Sequence, residues 1–88
     1  MTSVYDTRYE RFLARLREAR KKAGLTQVEV AKALGKRQTF VSKCEVGERR
    51  VDFVEVEEFA GLYGVPLAFF STLESKDPPK RRGRARTT

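Results

Sequence analysis

Four polar side chains, Gln38, Thr39, Ser42 and Lys43, gather on one side of a short helical pattern whose other side carries Phe40, Val41 and Cys44, when residues are laid out at about 100° each. A glutamine amide can pair bidentately with an adenine edge, a lysine ammonium can donate to guanine acceptors, and short hydroxyls reach either. The set therefore suits a helix lying in the major groove of duplex DNA. Taken alone, the same four residues read more readily as an ordinary solvated helix face. Catalytic chemistry is not expected. The 88 residues contain no His and a single cysteine, Cys44, so no Ser-His or Cys-His pair, Cys/His zinc site or intramolecular disulfide can be assembled. No enzyme activity, metal or cofactor is expected.

The surrounding chain decides between the two readings of the polar face. Thr26-Gln27-Val28-Glu29 has the spacing of a capping box, in which the Thr26 hydroxyl accepts from a free backbone amide and Glu29 reaches back. Val30, Ala31 and Leu34 follow at helical spacing, and Gly35 comes next, where a left-handed turn residue is cheap. Helix, tight turn and second helix thus fit within residues 25–47, the arrangement of a helix-turn-helix.

Ala23-Gly24-Leu25-Thr26-Gln27, Ala31, Leu34-Gly35, Gln38-Thr39-Phe40-Val41-Ser42-Lys43, Glu45 and Gly47 together resemble the lambda-repressor/Cro-type (XRE) helix-turn-helix family, over roughly residues 16–73. The resemblance implies an all-α, five-helix DNA-binding domain of bacterial or phage origin, with double-stranded DNA as its partner. It implies that Gln38, Thr39 and Lys43 face base edges, with Ser42 as a fourth, and that Gln27 contacts a phosphate. It also implies an ion pair between Arg20 and Glu45, which closes the recognition helix, and a homodimer through Phe69, Phe70 and Leu73. Those three residues have the alternative of filling an intramolecular core. Val46 stands where the family often has Asn, which removes one polar contact.

The rest of the chain supplies the frame. Thr7-Arg8-Tyr9-Glu10 is a second capping-box pattern, opening a long helix in which Phe12, Leu13, Leu16, Ala19 and Ala23 form the apolar side and Arg8, Arg11, Arg15, Arg17, Lys21 and Lys22 a solvated basic surface. Beyond the motif, Arg49 and Arg50 lie in a loop with Gly47. Guanidinium groups grip phosphate bidentately, so these two, with Arg37 at the start of the second motif helix, are phosphate-contact candidates. Asp52 and Glu55 cap a fourth helix with Phe53, Val56, Phe59, Ala60 and Tyr63 as its stripe. Its outward Glu55, Glu57 and Glu58 predict a face turned away from any polyanion. Pro66 opens a last short helix to about Leu73. Cys44 reads as a core filler rather than a redox sensor, and Phe40 as packing rather than a thymine-methyl contact.

The domain is expected to end at residue 74. Residues 75–88 carry Pro, Gly and charge with almost nothing to bury, and read as a disordered basic tail. From Glu74 onward six basic residues face two acidic ones, so more than half of the net +7 lies there. Arg82-Gly83-Arg84 is similar to the centre of an AT-hook, with Ala85 where a proline belongs; the alternative is an arm that holds any duplex equally. No stretch approaches the roughly 20 apolar residues of a membrane span and no secretory pattern opens the chain, so a cytoplasmic location is expected. The leading expectation is a sequence-specific transcriptional regulator, a repressor because the chain leaves no room for a sensory or activation domain. An antitoxin that binds a toxin protein and its own promoter is the alternative, and a restriction-modification controller a variant of it.

Overall fold

A computed structural model describes residues 7–72; the expectations for residues 1–6, for Leu73 and for the tail at 75–88 lie outside it. The described chain is all-helical: α1 (Thr7–Lys22), α2 (Gln27–Leu34), α3 (Gln38–Val46), α4 (Phe53–Tyr63) and a 3-10 turn, Leu67–Phe70.

The boundaries of α2 and the start of α4 have local causes. At α2 the Thr26 hydroxyl accepts from the Glu29 amide at 3.1 Å while the Glu29 carboxylate accepts from the Thr26 amide at 2.9 Å. The same reciprocal pair opens α4, where Asp52 Oδ1 accepts from the Glu55 amide at 2.8 Å and Glu55 Oε1 from the Asp52 amide at 3.0 Å. Thr7 lies within α1 rather than capping it. Gly35 closes α2 at φ 70°, and the Lys36 amide donates back to the Ala31 carbonyl at 2.8 Å. A Cβ at Gly35 would meet nothing within 4 Å, so glycine is required there by backbone conformation and not by space.

The expected helix at 66–73 is shorter and tighter than the sequence predicts. Pro66 is extended, at ψ 157°, and precedes the 3-10 turn instead of forming its first residue. Packing is the reason: Phe70 is drawn into the core with its ring 6.0 Å from that of Phe12, and Ser71 leaves in extended conformation. Arginines of α1 take the carbonyls that a continuing helix could have used. Arg15 donates to the Phe69 carbonyl at 3.0 Å and Arg11 to that of Thr72 at 3.2 Å.

One core holds all these elements. Leu16 and Ala19 of α1, Val30 of α2, Val41 and Cys44 of α3 and Phe59 of α4 are sealed from solvent, with Phe12, Leu13, Ala31, Ala60, Tyr63 and Phe70 around them. Burying a side chain of the Val, Leu or Phe class contributes about 1.5–3 kcal/mol, so this cluster fixes the mutual placement of α2 and α3 against α1. Cys44 belongs to that core, and burial pushes its thiol pKa up. Two apolar predictions fail at the edges: Phe53 is 65% exposed and Ala23 is exposed. Phe53 is the first residue of α4, whose buried residues, Phe59, Ala60 and Tyr63, all lie in its second half.

Candidate nucleic-acid interface

Packing turns α3 so that Val41, Cys44 and Glu45 face inward. By the helical period the opposite side must then be open. Gln38, Thr39 and Lys43 are exposed and Ser42 is half-buried, so the four polar tips occupy one outward face. Val46 joins them. It is the last residue of α3 and is 56% exposed on the same side as Thr39 and Ser42.

Behind this face lies a charge. Glu45 is 1% exposed and accepts from Arg20 twice, from Nε at 2.7 Å and Nη2 at 3.1 Å. Arg20 also donates to the Leu25 carbonyl at 2.9 Å, tying the pair to the turn that opens α2. The bond to the Glu45 carboxylate holds the Arg20 pKa above its ordinary value. Arg17, read from sequence as surface, donates to the Glu45 backbone carbonyl at 2.7 Å. A cation there also suits the negative end of the α3 dipole. Its spacing of three from Arg20, on the same side of α1, was the available signal.

The carboxylate reaches the outer face through two amides. Gln27 Nε2 donates to Glu45 Oε1 at 3.0 Å, and Gln38 Nε2 donates to Gln27 Oε1 at 2.7 Å. An ionised carboxylate only accepts, so Gln27 must turn its nitrogen towards Glu45 and its oxygen towards Gln38. Gln38 must then present its nitrogen to Gln27. One N–H of Gln38 is taken, leaving the other N–H and the amide oxygen as an outward donor and acceptor pair. Those are the two groups that a bidentate contact to an adenine edge needs.

The guanidinium candidates separate in the fold. Arg37 precedes α3 at the cap position and is exposed, with no side-chain cap bond. Arg49 is exposed but has partners within the chain: it pairs with Glu55 at 2.8 Å, donates to the Arg50 carbonyl at 3.1 Å and stands 4.8 Å over the Phe40 ring. Glu55 caps α4 as the sequence predicts, but its carboxylate also holds Arg49 instead of joining an outward acidic face, and the pairing keeps its carboxyl below the ordinary range. Glu57 and Glu58 are exposed. Lys36 adds a second cation 5.2 Å from the half-buried Phe40 ring, so that ring is covered by cations. Arg50 is exposed, has no carboxylate partner among the described residues and rests 4.1 Å over the Tyr9 ring.

The residues expected to join two copies are divided as well. Phe70 is buried in this chain's own core, so it offers nothing to a second one. Phe69 is half-buried, with Arg15 and Lys22 standing 5.2 Å and 5.6 Å over its ring, while Leu67 on the same turn is 41% exposed.

No described helix is long and apolar enough to cross a membrane. A search of curated proteins gives no match. A family model described as a helix-turn-helix domain matches residues 11–69, from the middle of α1 through the 3-10 turn. With two capped helices, a left-handed glycine turn and an outward polar face within that span, the chain belongs to the helix-turn-helix family of DNA-binding domains.

Proposed function

We propose that this protein is a sequence-specific transcriptional regulator of the lambda-repressor/Cro type, acting by binding and not by catalysis, and that it represses by occupying operator DNA in the cytoplasm. Gln38, Thr39, Ser42 and Lys43 meet base edges, and Gln27, Arg37, Arg49 and Arg50 meet the backbone. The observation that carries this reading is the hydrogen-bonded path from Glu45 through Gln27 to Gln38. It supplies an oriented amide on an exposed helix face, an arrangement that serves base recognition and has no evident use in a merely solvated surface.

Gln38→Ala tests the reading. Binding to a selected operator is expected to weaken by about 1–3 kcal/mol, with preference relaxed at one base position. Equal losses on operator and random duplex would refute base readout. Arg50→Ala is expected to weaken binding to all sequences alike and to reduce the slope of log affinity against log salt by about one unit. Arg49→Ala, in contrast, combines the loss of a contact with the loss of the Glu55 pair. Its DNA effect is therefore accompanied by a drop in melting temperature.

The regulator is further proposed to bind as a homodimer on two half-sites about one helical turn apart. Exposed Leu67 and half-buried Phe69 support self-association at the 3-10 turn, with Phe70 behind them as core. Equilibrium sedimentation is expected to give a dimer at tens of micromolar that Leu67→Glu dissociates. A monomer throughout that range removes the two-half-site scheme.

A further inference from the structure

We infer that the groove between the start of α1, the loop before α4 and the end of the 3-10 turn binds a small aryl carboxylate, and that its occupation weakens the hold on DNA. The second half rests on the proposed function. The groove has a volume of about 420 Å³, with Arg8, Tyr9 and Phe12 on one side and Arg50, Phe53 and Phe70 facing them. That volume lies within the roughly 300–1,000 Å³ of small-molecule sites, and a protein partner would instead need about 800 Å² of interface on each side.

Its chemistry is of two kinds side by side. The floor is aromatic: Phe12 lies 5.5 Å from Tyr9 in a tilted pair and 6.0 Å from Phe70 edge to face, and Phe53 stands at the lip 65% exposed. Rings inserted there meet edges and faces at the offsets aromatic pairs prefer. The rim is cationic. Arg20 and Arg49 each have a carboxylate, but Arg8 and Arg50 have none among the described residues. Arg8 is steadied through Nε by the Thr72 hydroxyl at 3.1 Å, which leaves its terminal nitrogens available, and the Arg50 guanidinium carbon stands 4.1 Å over the centre of the Tyr9 ring. A planar guanidinium beside apolar surface is suited to a carboxylate, which it can bind bidentately. One ring and one carboxylate satisfy both halves of the groove. Arg50 also belongs to the proposed phosphate contacts, so a carboxylate on it removes one of the charges that DNA uses.

Titrating the full chain, without DNA, with indole-3-acetate and 3-phenylpropionate while following the ring resonances of Tyr9, Phe12, Phe53 and Phe70 tests the site. Saturable shifts confined to the groove are expected. Binding should be about tenfold weaker for the corresponding amides and for Arg8→Gln or Arg50→Gln, both at exposed positions, with an unchanged melting temperature checking that each variant keeps the fold. Equal binding of acids and amides, ring shifts caused by acetate alone, or no saturation up to tens of millimolar each overturns the site. A second titration measures duplex binding with 3-phenylpropionate present. Several-fold weakening in the wild type, abolished by Arg8→Gln, supports the coupling, and an unchanged affinity at saturating acid overturns it. If no duplex binds at all, the proposed function fails while the first titration still decides the site.

Discussion

Glu45→Ala is expected to lower the free energy of unfolding by about 3–5 kcal/mol, the range for removing one partner of a buried ion pair. The Glu45 side chain is 2% exposed and that of Arg20 13%, so the guanidinium left behind would stay in a poorly solvated position without its two short bonds to carboxylate. Gln27 would lose its acceptor at the same time. A second variant separates the cost of the stranded charge from the worth of the pair. Arg20→Met combined with Glu45→Leu removes both charges, and such replacements are often neutral or stabilising, so most of the lost stability should return. Base preference should not return with it, because nothing then fixes the polarity of Gln27 and Gln38. Urea denaturation followed by circular dichroism measures the first effect and operator selection the second. A single variant within about 1 kcal/mol of the parent would show that solvent reaches the pair and that burial does not govern it.

Phe59→Ala should cost a similar amount, about 3–5 kcal/mol, through lost transfer energy and the cavity left behind. Phe59 is 1% exposed and its ring lies 5.8 Å from that of Tyr63 in a stacked arrangement. Tyr63 itself is buried, its hydroxyl has no hydrogen-bond partner among the described residues, and burial pushes its pKa up. That ring therefore depends on packing with Phe59 more than on any polar anchor. Phe53→Ala provides the internal control. The two phenylalanines lie on one helix and were assigned to one apolar stripe by their spacing. Yet Phe53 is 65% exposed, and its loss should change stability by no more than about 0.5 kcal/mol. Thermal melts of the two variants side by side decide the matter: equal costs would mean that exposure in the fold does not describe the packing of α4.

Much of the architecture was legible because its signals are local. The boxes at Thr26 and Asp52 each need only residues three apart, and both form as the sequence predicts. Gly35 and Gly64 adopt the left-handed conformation that their places after apolar periodicity demand. The side of α3 that packs was also legible, since Val41 and Cys44 recur at helical spacing. The last segment was not, because its form depends on Phe12 and on the arginines of α1, more than fifty residues away in the chain. Proline chemistry alone at Pro66 pointed to a longer helix. The pairing of Arg49 with Glu55 was not legible for a related reason: residues six apart on either side of a loop meet only once the fold sets that loop against α4.

The sequence by itself determined four helical segments, the turn between α2 and α3, the polar composition of the α3 face and the absence of His, because period, caps and composition act over a few residues. Only the tertiary structure decided that Glu45 reaches Gln38 through Gln27, that Phe70 belongs to the core while Leu67 does not, and that Arg8 and Arg50 share a groove. The division follows from distance along the chain. Local hydrogen bonds close without reference to the rest of the molecule, whereas the surroundings of a side chain are set by which helices the common core brings together.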